Sequence, residues 1–305
     1  MAYIIKRLFM SLLTLFIITT ITFFLMHLIP GGPFAGEKNL PPSVMHNLEV
    51  KFGLNKPLID QYGAYLKNAV KGDLGVSAKQ RGAEVSQIIA TKFPVSARLG
   101  LVAIAFAVLM GTILGIISAF KNGKTADKTV MVIATLGTSI PSFVIATVSM
   151  IIFGVFLKWL PTYGLTSWKN YLLPSFALSL FPLSFISRLM RSTMIDVINQ
   201  DYIKTARAKG LHEGVVIFKH ALKNAILPVI TYLGPLLAAV LTGSFIIEHI
   251  FTIPGLGAYF VTSIGNRDYA VILGTSIFFA AFLIAMNFFV DVMYMFIDPR
   301  IKLKG

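Results

Sequence analysis

The sequence predicts an all-α integral membrane protein with six transmembrane helices. The first sign is composition: 56% of the 305 residues are hydrophobic and only 13% are charged, against about 25% charged in soluble chains. The second is that apolar runs near the roughly 20 residues needed to cross a bilayer recur along the chain. The third is that Lys and Arg concentrate in alternate connections between those runs. The runs do not alternate in polarity as barrel strands would, and a helix satisfies its own backbone in lipid.

The predicted spans are 8–29, 94–120, 130–157, 171–187, 226–247 and 270–297. The first follows Lys6 and Arg7 and could pass for a signal peptide. It runs beyond the roughly 7–15 residues of a signal core and no A-x-A-like site follows, so it reads as a retained anchor. If the N-terminus is cytoplasmic, the inner side carries fifteen Lys and Arg: residues 6, 7, 121, 124, 128, 188, 191, 204, 207, 209, 219, 223, 300, 302 and 304. The short outer loops carry three: Lys158, Lys169 and Arg267. That asymmetry predicts both termini inside. The insertion 30–93 is then extracytoplasmic, and its length exempts it from the count.

This insertion has helical periodicity of its own. In "PLIDQYGAYLKNAVKG", Pro57 suits a first helical position, Leu58, Tyr62, Tyr65, Leu66 and Ala69 share a face, and Gly72 can end the helix. "EVSQIIATKF" reads as a second short amphipathic helix. Both would lie on the outer membrane face or cap the bundle. The whole chain, 1–305, reads as one membrane domain.

Several chemistries are excluded. The chain has no cysteine, hence no disulfide, thiolate metal site or cysteine nucleophile. The net charge of +14 belongs to loops that anchor helices, and no basic cluster is interleaved with aromatics as nucleic-acid binding would require. Gly123-Lys124-Thr125 ends like a phosphate-binding loop, but Ser118 stands where that motif needs glycine. The five histidines do not pair at ligand spacing, so no metal site is expected. No G-x-S-x-G or H-E-x-x-H occurs. Asp291 reads as the one carboxylate within an apolar run: a polar station in a pathway, or half of a structural pair at the inner membrane edge.

The G-x-x-x-G at Gly111 and Gly115 predicts close helix approach. Pro141, Pro174, Pro182, Pro228 and Pro235 predict bent spans around a cavity, since each removes a backbone hydrogen bond.

The least membrane-like long stretch of the second half is "DYIKTARAKGLHEGVVIFKHALKNAILPV", residues 201–229. Asp201 can cap a short helix and Gly210 can end it in a left-handed conformation, with Leu211 as the next apolar residue. Val215, Val216, Phe218, Ala221 and Leu222 then give a second amphipathic helix. Ala206 and Gly210, four apart, would let another surface come close, flanked by Arg207 and Lys209. The stretch reads as a docking helix, a glycine turn and a second helix.

"TARAKG" followed by "HALKNAILPV" resembles the cytoplasmic loop of permease subunits of ATP-binding-cassette importers. Against that family's general pattern, Lys204 replaces a Glu, Thr205 an Ala, His220 an Ile, and Leu222-Lys223 a Leu-Pro pair. The form found here resembles the oligopeptide/dipeptide branch and its B-type subunits. "LIPGGPF", "FGLNKPLIDQY", "GDLG", "SIPSF", "IFTIPGLG", "NRDY" and "DPR" follow that branch in the same order across the full length. The resemblance implies a type I importer permease fold in a prokaryotic plasma membrane. It implies a coupling loop, 188–225, in which Thr205, Ala206, Arg207, Ala208, Lys209, Gly210, Leu211, His220 and Asn224 meet an ATPase. It also implies a second homologous permease, two cytoplasmic ATPases holding ATP and Mg, an extracytoplasmic binding protein, and no cofactor on this chain. The substrate would be a peptide, with nickel or glutathione as alternatives in the same branch. A proton-coupled carrier is the alternative of another class, and Asp291 would be its titratable group.

Overall fold

The computed structural model describes residues 2–28, 32–34, 41–80 and 82–297. In chain order its helices are α1 (Ala2–His27), α2 (Pro42–Lys51), α3 (Leu58–Val70), α4 (Val85–Phe120), α5 (Thr125–Ser139) and α6 (Ser142–Ser149). They continue with α7 (Leu172–Ile198), α8 (Asp201–Ala208), α9 (Glu213–Val215), α10 (Leu222–Ala225), α11 (Leu227–Leu241), α12 (Phe245–Ile250), α13 (Leu256–Asn266) and α14 (Tyr269–Ile297). Two π-helical stretches, Met150–Phe156 and Val216–Ala221, extend α6 and join α9 to α10. Among the described residues there is no strand, only an isolated bridge between Val76 and Glu84.

Among the described residues four helices are long and apolar enough to cross a membrane, and up to six spans result if each of two bent pairs counts as one. The first bent pair corrects the third predicted span. Pro141 cannot donate to the helix before it, and Ile140 is pushed to an extended ψ of 124°. The chain turns by 103° between α5 and α6. The second pair turns by 48° between α10 and α11, where Pro228 sits at the start of α11.

The other prolines do not break their helices. Pro174 lies in the first turn of α7, where its missing N–H costs nothing. Pro182 and Pro235 stay inside α7 and α11, as Pro94 does inside α4. The boundaries shift accordingly. The second predicted amphipathic helix of the insertion is the first part of α4, a continuous 36-residue helix. The fourth span runs on to Ile198. The fifth ends at Leu241, because Gly243 takes a left-handed φ of 96° and Phe245 opens a new helix.

The central packing is α4 against α7. A Cβ on Gly111 would stand 2.8 Å from the Leu183 carbonyl, and one on Gly115 2.7 Å from that of Ser187. The small-residue stripe thus brings two backbones together, as expected from the sequence. Around this seam Ala107, Ile186, Met190 and Met194 are fully buried. The same apolar cluster continues through Ile203, Val216, Ala221, Ala225 and Val229, so the polar 201–225 segment is rooted in the core of the bundle.

α3 forms as read, with Pro57 as its N-cap residue rather than its first helical residue. Gly72 (φ 84°) closes it, with Asp73 N–H bonded to the Asn68 carbonyl at 3.0 Å. Tyr62 and Tyr65 pack on Phe23 of α1, beside Ile272 and Leu273 of α14.

Candidate functional site

α8 is amphipathic in an unusual sense: a short polar helix with two inward residues. Ile203 is 0% and Ala206 6% exposed, while Thr205, Arg207, Ala208 and Lys209 are exposed. Burying a side chain of Ile203's size stabilises the helix by about 1.5–3 kcal/mol, so α8 is held to the bundle and presents its other face outward. Asp201 is the first helical residue, not the cap. Gln200 occupies the cap without a side-chain bond, and Asp201 pairs with Lys204 at 2.9 Å. Ala206 faces this chain's own core, so Ala206 and Gly210 do not form one open strip of small residues.

The turn after α8 is fully specified by Gly210. Its φ is 74°, its N–H reaches the Arg207 carbonyl at 2.9 Å, and the Leu211 N–H reaches that of Ala206 at 3.4 Å. This is a Schellman closure, which needs a left-handed residue at the Gly210 position. His212 Nδ1 accepts the Gly214 N–H at 3.2 Å and caps the next helix. Arg207 Nη2 donates to Glu213 Oε1 at 2.6 Å. The Glu213 carboxylate raises the Arg207 guanidinium above its ordinary pKa, but the pair is half-exposed and contributes little stability.

The second helix departs from the expected register. Its middle is π-helical, and the wider turn buries Val216 and Ala221 while it turns Phe218 outward, 68% exposed. Val215 and Leu211 are also exposed. The result is an apolar patch beside the basic α8 face. His220 is partly buried within the π turn. Asn224 Nδ2 donates to Tyr202 Oη at 2.8 Å and ties the two limbs together. Thr193 of α7 donates to the Ala225 carbonyl at 2.8 Å and fixes the return limb to the long helix.

A clasp that sequence reasoning missed holds the base of this region. Arg191 on α7 grips Asp127 on α5 with both ends of its guanidinium, Nε to Oδ1 at 2.6 Å and Nη2 to Oδ2 at 2.8 Å. Nη2 also reaches Asn122 at 2.9 Å. Ser118 donates to the same carboxylate, and the Gly123 N–H does so at 2.8 Å. The signal was present: Asp127 is the single acid in a basic connection.

A second missed carboxylate is Glu248, which corrects the reading of Asp291 as the one acid in an apolar run. Glu248 lies in "FIIEHIF", is 0% exposed, and accepts the Ala258 N–H at 2.8 Å. Ser96 of α4 accepts the Leu256 N–H at 2.9 Å. Together they occupy the N-terminus of α13 and accept two of its free N–H groups. The side chain of Asp291 lies outside the described residues. Among those described, no three His, Asp or Glu residues gather as a metal site.

These features define a helical multi-span membrane protein with a protruding, core-anchored helical hairpin. The chain belongs to the family of binding-protein-dependent transport system inner membrane components, whose model matches residues 111–303, with the corresponding N-terminal model over residues 1–100. It is 48% identical to the dipeptide transport system permease protein DppB of Bacillus subtilis (strain 168), over 99% of this chain and 98% of that one. It is 45% identical to the oligopeptide transport system permease protein OppB of Escherichia coli (strain K12), over 98% and 99%. It also resembles the solved structure described as inward-facing conformations of the MetNI methionine ABC transporter. The TM-score is 0.58 at 16% identity, over 69% of this chain and 96% of that one. That likeness supports the fold expected from the sequence.

Proposed function

We propose that this chain is the pathway-forming subunit of an ATP-driven importer that moves peptides into a prokaryotic cell. The observation that carries the reading is similarity along the whole chain to permeases named for dipeptide and oligopeptide transport. Those names favour peptide over nickel or glutathione. In this reading six spans cross the plasma membrane, with both termini cytoplasmic, the 30–93 insertion outside and the segment that follows α7, 199–225, inside, so the coupling loop begins where the fourth span ends and not at residue 188. A second homologous permease completes the pathway, and an extracytoplasmic binding protein delivers substrate to it. Two cytoplasmic ATPases bind ATP and Mg, and this chain binds neither.

The hairpin supports a coupling role physically. Its outer face is basic on α8 and apolar at Leu211, Val215 and Phe218, as a protein-docking surface would be. Its inner face shares the core of α4 and α7, so a push on the hairpin moves the spans rather than bending a loop. The test is uptake of a labelled dipeptide and a labelled tetrapeptide by cells lacking this chain, with and without a plasmid copy. Uptake restored by the copy supports the reading, and unchanged uptake contradicts it.

A further inference from the structure

Arg188 is the described cation that the fold leaves in an unusual place. It sits on α7 and donates through Nη2 to Thr138 Oγ1 on α5 at 2.8 Å. Thr138 is the fourteenth residue of α5, about 20 Å along that helix from its start. The Asp127–Arg191 clasp marks that start. Long side chains on a helix lean toward its N-terminus, so the Arg188 head rises away from the clasp into the depth of the bundle.

Arg188 is exposed there and pairs with no carboxylate among the described residues. Phe181, Phe185 and Arg188 share one face of α7, and all three are exposed. A guanidinium facing lipid at such depth costs roughly 2.5–3.5 kcal/mol on insertion scales. This face is therefore turned to a wet passage or to another chain. Beside it, at the α5–α6 break, is a cavity of about 270 Å³ lined by Gly137, Thr138, Pro141, Ser142, Ala177 and Phe181. The Ser184 hydroxyl, buried without a hydrogen-bond partner, lies against Gly137, where a Cβ would collide with it.

We propose that Arg188, positioned by Thr138 of the cavity lining, is a binding station for the C-terminal carboxylate of the transported peptide. The proposal rests on the importer reading above. The guanidinium spends one donor on Thr138 and keeps a fork free, the geometry that matches a carboxylate. Phe181 and Phe185 supply an apolar wall for the adjoining side chains. A carboxylate from the facing permease chain would have the same chemistry, and the test separates the two sources.

The complete importer is assembled with wild-type chain, Arg188→Lys, Arg188→Gln or Thr138→Val. Initial rates are measured for one peptide as free acid and as C-terminal amide, chosen from pairs the wild type carries. Arg188→Gln is expected to lower the Vmax for the free acid at least about tenfold, with KM, set by delivery, unchanged. The amide rate stays near wild type, Lys recovers most of the acid rate, and Thr138→Val gives a smaller loss confined to the acid. Equal loss of acid and amide rates, or wild-type acid rates in the Gln variant, overturns the proposal. Equal loss with poorer recovery of the partner permease assigns Arg188 to an interchain ion pair. An assembled wild-type complex that carries no free-acid peptide from two to five residues long, so that no such pair can be chosen, overturns the importer reading itself.

Discussion

Arg191 and Asp127, 64 positions apart in sequence, form a two-point clasp between α7 and α5. Asp127 is 5% exposed and Arg191 27%. The pair closes the end of the bundle that carries the hairpin, and two further donors, the Ser118 hydroxyl and the Gly123 N–H, complete the carboxylate's shell. Removing one partner strands the other in a largely dry site. Asp127→Ala is expected to destabilise the chain by about 3 kcal/mol, the lower end of the range for buried pairs because Arg191 keeps some water. Thermal unfolding in mild detergent reads this. A shift no larger than that of an exposed pair such as Lys204→Ala would show the clasp to be incidental.

The α4–α7 seam tolerates no side chain at Gly115. A Cβ there would meet the Ser187 carbonyl at 2.7 Å and Met190 Cβ at 2.6 Å, and a backbone carbonyl cannot swing away. Gly115→Ala is expected to lower the melting temperature and the yield of membrane-inserted chain. Gly265→Ala, with open space around it, should match wild type.

Around Glu248 the packing makes a coupled prediction. Gly243 and Gly255 leave room for its two oxygens, and a Cβ on Gly243 would stand 2.6 Å from Oε1. Gly255→Ala collides with both Glu248 and Ser96 and should destabilise. Glu248→Ala should also destabilise, because the Ala258 N–H loses its acceptor and the buried side chain leaves a cavity. The double variant is expected to be less destabilised than the sum of the two, since the second change removes part of the clash. Simple additivity in unfolding experiments would contradict this packing.

Phe218 gives a test of the hairpin's outer face. It is 68% exposed, so Phe218→Asp should leave stability within about 0.5 kcal/mol of wild type. Peptide uptake should fall severalfold because a charge enters the apolar patch. Unchanged uptake in a normally inserted Phe218→Asp chain would remove that patch from the coupling surface.

The sequence was most legible where one local rule acts alone. Gly72 and Gly210 end their helices as read, because left-handed closure is set by a single residue. The Gly111/Gly115 stripe met a partner backbone, because small residues at that spacing have little other use. Prolines differ more than the sequence indicates. Pro141 turns the chain sharply, whereas Pro174 lies in a first turn and Pro182 and Pro235 stay within helices. Position within the helix decides the outcome, and a single sequence does not mark it. The Phe218 register was missed because a π turn shifts the apolar face midway. Asp127–Arg191 and Arg188–Thr138 are long-range pairs between separate helices, which periodicity cannot reveal. Of the candidate coupling residues, those from Thr205 to Leu211 lie on one short helix and its turn. His220 and Asn224 come from the return limb, and Asn224 is joined to that helix through Tyr202.

If the hairpin couples this chain to ATPase subunits, the turn at Gly210 is where that coupling breaks. A Cβ at Gly210 meets nothing within 4 Å, so substitution alters the turn without crowding the core. A left-handed non-glycine residue costs roughly 1–2 kcal/mol, with Asn the best tolerated. The measurement is affinity purification of tagged chain from its native membranes in mild detergent, followed by mass spectrometry, for wild type, Gly210→Asn and Gly210→Arg. A second permease and soluble ATPases are expected with wild type and Gly210→Asn, and loss of the ATPases alone with Gly210→Arg. Full ATPase recovery with Gly210→Arg, or a wild-type chain that emerges alone while other complexes stay intact, would contradict that coupling.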